Sequence, residues 1–340
     1  MEEELVRRAG LPYTAIPAGQ VAGMGLKTLP SLVKVARGTL ASRRILNDFK
    51  PDVLLFTGGF VAVPMALAAS GLPGMHVPSL VYVPDIEPGI ALKVIARYAD
   101  VIAVTTEDSR PYFSPKKRIE VTGYPLRPEL SGWTRSTAVT HLGLQPGRFT
   151  LLVTGGSKGA QSLNKAVFSI VPELLKEMQI VHLTGRLDLE EAESLRKTLP
   201  AGLAPFYHPM AYLHEMGAAL ASADLVISRA GASVLGEYPL FGLPAILVPY
   251  PYAWRYQKVN ADYLTQRGAA LMIETERLAA ELYPAVQSLA RDPERLRRMR
   301  QAMQSLERPH AAQHIAELVR VLADNARAKG AASPGERKHG

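Results

Sequence analysis

The residue pattern of this chain predicts an α/β protein with mainly parallel sheets in two domains. Three observations carry the prediction. Short apolar runs alternate with longer amphipathic stretches along most of the length. Twice, an apolar run ends in a glycine turn that opens a helical segment: Phe149 to Val153 leads into Thr154-Gly155-Gly156-Ser157-Lys158-Gly159-Ala160, and Leu225 to Ile227 into Ser228-Arg229-Ala230-Gly231-Ala232-Ser233. A length of 340 residues suits two domains of ordinary size better than one core.

The first element is a charged, helix-like segment, Met1-Glu2-Glu3-Glu4-Leu5, with no apolar strand ahead of it. Gly25 to Ile45 sets Leu26, Leu29, Leu32, Val33, Leu40 and Ile45 among Lys27, Lys34, Arg37, Arg43 and Arg44. That pattern fits a surface helix packed on a sheet, or a basic amphipathic segment lying on an anionic bilayer. Gly23 to Leu32, looser and punctuated by Pro30, is the better membrane candidate. Strands are expected at Val53 to Phe56, Leu80 to Val83, Val101 to Val104, Arg118 to Val121, Phe149 to Val153, Ile180 to Thr184, Leu225 to Ile227 and Ala245 to Val248, with helices between most of them. The pattern lapses into polar and turn-forming residues around Ser131 to Arg148. The expected domains are therefore 1–135 and 136–325, followed by a disordered tail, 326–340, rich in Gly, Pro, Ser and charge.

Composition removes several classes. With 47% hydrophobic and 21% charged residues the chain is globular. It has no cysteine, hence no disulfide framework or thiolate metal site, which fits a reducing cytosol. No signal peptide is visible and no run reaches the roughly 18 apolar residues of a membrane span. The net charge of +8 invites a nucleic-acid reading, but no nucleic-acid-binding motif is present and aromatics do not interleave with the basic clusters. A phosphorylated substrate or an anionic lipid surface accounts for the charge more economically.

The chemistry concentrates in the second half. Glycines at a strand-to-helix junction admit a ligand close to backbone amides, and the helix N-terminus behind them favours an anion. Two such turns point to a nucleotide or nucleotide-sugar pocket. Glu237 follows the second turn, where a carboxylate either receives ribose hydroxyls or complements the helix N-terminus. Beyond Phe241-Gly242-Leu243-Pro244, which closes that helix, and a buried strand comes a loop from Pro249 to Ala261. Loops at the carboxyl ends of such strands bind ligands, and Gln257 and Asn260 offer donors and acceptors for sugar hydroxyls.

At these residues the chain resembles a known family. Gly155 to Asn164 and Ser228 to Glu274 look like the donor domain of family 28 glycosyltransferases, and within them the undecaprenyl-pyrophosphoryl-MurNAc-pentapeptide N-acetylglucosaminyltransferases (the MurG family). Gly58-Gly59-Phe60-Val61 resembles the family's Gly-Gly-Tyr-Val turn, and Gly123-Tyr124-Pro125-Leu126-Arg127 its Gly-Asn-Pro-Val-Arg. The resemblance runs from Met1 to about Ala323 and implies a GT-B fold, two Rossmann-like domains facing across a cleft. It implies that Gly156, Ser157 and the backbone at Ala232, Ser233 and Val234 meet donor phosphates, that Glu237 holds the ribose, and that Tyr256 and Gln257 face the sugar. Arg127 and Asn260 match residues near the donor, and backbone from Met210 to Leu213 would read uracil. UDP-GlcNAc is the implied donor, with no obligatory cofactor and no metal.

Three departures accompany the resemblance. The family has a glutamine pair where this chain has Tyr256-Gln257, which bears on sugar selectivity. In place of the family's His-Glu-Gln-Asn the chain has Tyr82-Val83-Pro84-Asp85 and then Ile86-Glu87, so Asp85 and Glu87 become the candidate bases for an inverting transfer, although Pro84-Asp85 also reads as a simple turn. The family's opening strand and Gly-Gly-Thr-Gly-Gly-His loop have no counterpart. Met1-Glu2 matches an internal Met-Glu, so either the start is mis-assigned, or the sheet closes differently, or a separate partner chain supplies the missing segment. Without that strand, the sheet is expected to show unpaired edges and an opened core.

The expected activity is inverting transfer of GlcNAc from UDP-GlcNAc to a polyprenyl-pyrophosphate-linked acceptor at the cytoplasmic face of the membrane, with the protein peripheral on an anionic surface and no nucleic-acid partner. The alternatives are a diacylglycerol glycosyltransferase using a UDP-sugar, a non-catalytic donor-binding subunit, and a UDP-sugar epimerase of the same architecture.

Overall fold

A computed structural model describes residues 2–16, 28–71, 76–156, 159–251 and 254–331. They form two compact units. The first takes the described residues up to Val83, Pro88–Val121 and those from Gln313; the second takes Pro84–Glu87 and Thr122–Ala312. The passage between units thus falls ahead of the polar stretch at 131–148, and the chain returns to its first unit at the end.

The first unit begins with helices α1 (Glu2–Arg8) and α2 (Thr28–Phe49). There follow β1 (Leu54–Phe56), α3 (Val63–Ala69), β2 (Ser79–Val83), α4 (Ile90–Tyr98), β3 (Val101–Val104) and β4 (Arg118–Val121). The four strands form one parallel sheet in the order β1-β2-β3-β4. Period-two alternation divides the inner strands between two cores. Val81, Val83, Ile102 and Val104 pack with Ala91, Leu92 and Ile95 of α4. Leu80, Tyr82, Val101 and Ala103 pack against Ile315, Leu318, Val319 and Leu322 of the last helix.

That helix continues to Ala331, so 326–331 belong to it rather than to a disordered tail; 332–340 lie outside the described residues. Both edge strands of this sheet are partly open, β1 with Leu55 48% exposed and β4 with only Ile119 buried, while every residue of β2 and β3 is buried. Helix α2 packs on α3 through Leu46, as a surface helix would, and leaves Val33, Leu40 and Phe49 exposed. Most of the membrane candidate at 23–32 lies outside the described residues.

The second unit opens with α5 (Arg135–His141) and β5 (Phe149–Thr154), then α6 (Gln161–Phe168), α7 (Val171–Leu174), β6 (Met178–Leu183), α8 (Leu189–Thr198) and β7 (Tyr207–Met210). It continues with α9 (Met216–Ser222), β8 (Leu225–Ser228), α10 (Val234–Phe241), β9 (Ala245–Leu247), α11 (Trp254–Gln266) and β10 (Ala270–Met272), and closes with α12 (Leu278–Ala290) and α13 (Pro293–Gln304). Helix α14 (Ala311–Ala331) then carries the chain back to the first unit. The sheet is parallel with order β10-β9-β8-β5-β6-β7.

From β5 the chain winds outward through β6 and β7, then returns to β8 on the other side. The switch point of this doubly wound sheet therefore lies between β5 and β8, where such folds bind ligands. Register pairs Thr154 with Ser228, so both glycine turns leave the sheet side by side. Two strands escape the sequence pattern, β7 and β10. Both are edge strands, and Pro209 inside β7 is tolerated because an edge strand has one unpaired side.

Candidate functional site

A cavity of about 470 Å³ opens at the switch point of the second unit. Its floor comes from the ends of β5 and β8, through Thr154, Gly155, Gly156, Ser228, Arg229 and Gly231. One wall is the first turn of α10, with Ser233, Val234, Glu237 and Tyr238; the other is the segment after β7, with Ala211, Tyr212 and Leu213. Arg127 and Gln257 complete the rim.

Local packing sets each group. In α10 a Cβ on Gly236 would stand 2.7 Å from Cβ of Tyr124, so the absence of a side chain there lets the 123–127 segment lie on the helix and brings Arg127 to the cavity. Glu237 sits beside them, its carboxyl pushed up by burial and pulled partly back by a hydrogen bond from Ser233 and by Arg127. Burial also pushes the Tyr124 phenol up, helped by the nearby charges of Glu237 and Asp85.

Arg229, directly after β8, is a buried cation of the site. It is 8% exposed, and its Nη2 donates to Oγ of Ser162 on α6 at 2.7 Å. Its Nη1 donates to the carbonyls of Val248 and Pro249 at 3.1 and 3.2 Å, and its Nε has no hydrogen-bond partner. Burial lowers the guanidinium's pKa. The side chain therefore fastens the second glycine turn to the helix behind the first. Its only sequence signal is a charged residue directly after an apolar strand.

Among the expected donor residues, Arg127, Gly156, Ser233, Val234, Glu237 and Gln257 line the cavity. Gln257 is anchored there, its Oε1 accepting from the backbone N–H of Tyr250 at 2.8 Å. Met210 stands one residue short of the lining segment, with its carbonyl accepting from the N–H of Thr184 at 2.9 Å. Ala232 and Tyr256 are not among the lining residues. Ser157 lies outside the described residues.

Asn260 is fully buried rather than turned to the cavity. Its Nδ2 donates to Oδ1 of Asp85 at 2.8 Å and to the carbonyl of Ala230 at 3.1 Å, and its Oδ1 accepts from the N–H of Ile86. It thus brackets the Pro84–Glu87 segment to the residue before Gly231. Asp85 is half-buried, and burial raises its carboxyl pKa against the opposing hydrogen bond from Asn260. Glu87 is 3% exposed, and neither carboxylate is among the lining residues.

A doubly wound parallel sheet with two glycine turns at its switch point, and a cavity lined by two arginines and a carboxylate, is the architecture of a GT-B glycosyltransferase unit. The glycosyltransferase family 28 C-terminal domain matches residues 150–315 and its N-terminal domain residues 1–104. The chain belongs to glycosyltransferase family 28.

Among similar proteins are the UDP-N-acetylglucosamine--N-acetylmuramyl-(pentapeptide) pyrophosphoryl-undecaprenol N-acetylglucosamine transferases of Desulforudis audaxviator and Roseiflexus sp. The first is 39% identical over 95% of this chain and 88% of its own length, the second 38% over 95% and 81%. The crystal structure of Acinetobacter baumannii MurG superposes with a TM-score of 0.73 at 25% identity, covering 94% of this chain and 88% of that one. CalG4, the calicheamicin glycosyltransferase, shares the fold at a TM-score of 0.60 and 17% identity, covering 93% of this chain and 88% of its own.

Proposed function

We propose that the chain transfers GlcNAc from UDP-GlcNAc to the pyrophosphoryl-undecaprenol-linked N-acetylmuramyl-pentapeptide acceptor, the step that turns lipid I into lipid II. The observation that carries this reading is the switch-point cavity bounded by both glycine turns, Arg127, Arg229 and Glu237. It is supported by relatives that carry the name of that activity over nearly the whole chain.

Each residue then has a task set by its chemistry. Glu237 receives the ribose hydroxyls, because a carboxylate is acceptor-only and binds a vicinal diol through both oxygens. The diphosphate lies over the amides of the two turns, with Arg127 and Arg229 balancing the charge that develops on UDP as it leaves. The segment 210–213 takes the uracil, and Gln257 reads the sugar.

An inverting transfer forms one bond from the acceptor oxygen to the anomeric carbon while the bond to UDP breaks, and the acceptor proton must be removed. Asp85 is the better candidate base. Asn260 orients its carboxylate, and burial raises its proton affinity, whereas Glu87 is enclosed. An anionic membrane surface would hold the protein against its acceptor from the inner face, using the basic, partly apolar helix α2 of the first unit. No described helix is long and apolar enough to cross a membrane.

The test is transfer of radiolabel from UDP-GlcNAc, UDP-glucose and UDP-galactose to lipid I and to diacylglycerol. Label passing from UDP-GlcNAc to lipid I is the expected result. Label entering diacylglycerol alone would move the chain to the glycolipid synthases, and label entering neither would sink the transferase reading.

A further inference from the structure

Beneath the first glycine turn runs a chain of fully buried polar side chains that the transfer chemistry does not use. Asn164 of α6, His182 of β6 and Tyr207 of β7 are each 0% exposed. Tyr207 Oη lies 3.0 Å from His182 Nδ1, and His182 Nε2 lies 3.1 Å from Asn164 Oδ1. Asn164 Nδ2 donates to the carbonyl of Thr184 and to Asp188 Oδ2, both at 2.7 Å.

The direction of the chain follows from chemistry. With its amide hydrogens committed to Thr184 and Asp188, Asn164 presents Oδ1, which only accepts, so His182 carries its proton on Nε2. Nδ1 is then the acceptor and Tyr207 O–H the donor. Burial drives the imidazole pKa down to about 3, so the ring stays neutral and the direction is fixed.

The chain ends on the residue where two loops of the donor site meet. A Cβ on Gly159 would stand 2.3 Å from the Thr184 carbonyl, so that carbonyl is the floor on which the phosphate turn rests. The Thr184 N–H donates to the Met210 carbonyl at 2.9 Å, immediately before the lining residues 211–213. One peptide position thus supports the phosphate turn from one side and the base-side loop from the other.

We infer that Tyr207, His182 and Asn164 are positioning residues that hold Thr184 so that the diphosphate turn stays in register with the base-side loop. This inference rests on the UDP-sugar reading. None of the three touches the cavity, and their effect on donor binding passes through the backbone.

The experiment measures binding of UDP and of uridine by calorimetry to the full chain and to Tyr207→Phe, His182→Leu and His182→Gln, with the melting temperature of each. If the turn is held from below, Tyr207→Phe and His182→Leu lower the ratio of UDP to uridine affinity by about tenfold, the equivalent of one hydrogen bond's worth of misplacement. His182→Gln, which accepts at one end and donates at the other, restores the ratio. Tyr207→Phe, losing one hydroxyl, is the variant that tests the idea if His182→Leu folds poorly. An unchanged ratio in variants that merely melt earlier would overturn the inference and leave the donor reading standing. A wild-type protein that binds neither ligand would overturn both.

Discussion

The two glycine turns of the second unit look alike on paper and differ in why they need glycine. In the first, a Cβ on Gly155 would stand 2.4 Å from the backbone nitrogen of Ala160, and Gly159, at φ +76°, would meet the Thr184 carbonyl at 2.3 Å. These glycines are demanded by the protein's own backbone. In the second, a Cβ on Gly231 would meet nothing within 4 Å. Space above Gly231 is open to the cavity, so its lack of a side chain leaves room for a ligand. The backbone constrains Gly155 and Gly159, whereas Gly231 faces the open space of the cavity.

The sharpest way to break the comparison is Gly159→Ala. It forces both a left-handed conformation and a backbone overlap, and should cost about 3 kcal/mol or more of stability together with UDP binding. A normal thermal melt with intact calorimetric binding would show that the floor is soft.

The floor itself should reveal its histidine in acid. His182 has a folded pKa of about 3 against an ordinary 6.5, so its contribution is fully present above pH 6.5 and lost as the pH falls through that window. There the unfolded chain takes up a proton that the folded one refuses. Stability should drop by about 1.4 kcal/mol per pH unit beyond what His182→Gln shows. Equal acid profiles for wild type and His182→Gln in denaturant titrations would contradict the buried, neutral ring.

At the second turn the binding energy should reside in side chains. Glu237→Ala is expected to raise KM for UDP-GlcNAc about 10- to 100-fold with a smaller change in kcat, since hydrogen bonds to a charged group contribute about 1.5–3 kcal/mol. An unchanged KM would remove Glu237 from the ribose. The smallest effect belongs to Gly231→Ala, where stability should stay within about 0.5 kcal/mol of wild type while donor KM rises several-fold. A melt as damaged as that of Gly159→Ala would erase the distinction between the turns.

Much of this was legible in the residues. Eight strands fall where the sequence pattern places them, and the inner ones, such as β2, β3 and β8, are buried along their whole length and read as largely apolar segments. The glycine turns and Glu237 were legible for the same reason: each is a short-range pattern next to such a strand. Strand β7 was not, because an edge strand with one open side tolerates Pro209, which a central strand excludes, and β10, Ala-Leu-Met, lacks the β-branched and aromatic residues that mark strands. Asn260 and Arg229 show the limit at the site. Both are polar residues near a ligand loop, and the pattern does not distinguish one that faces a sugar from one that brackets two segments of backbone.

By itself the sequence determined the fold class, the family, and the two strand-to-helix turns at which the cavity opens. Those depend on periodicity and on glycine's freedom, which act over a few neighbouring residues. Only the tertiary structure decided that Asn260 braces Asp85 to Ala230, that Arg229 fastens one turn to the helix behind the other, and that Tyr207, His182 and Asn164 meet under Gly159. The partners in these contacts lie 18 to 175 positions apart along the chain. A buried hydrogen bond is satisfied by whatever the packed sheet brings within reach, which no local pattern of residues records.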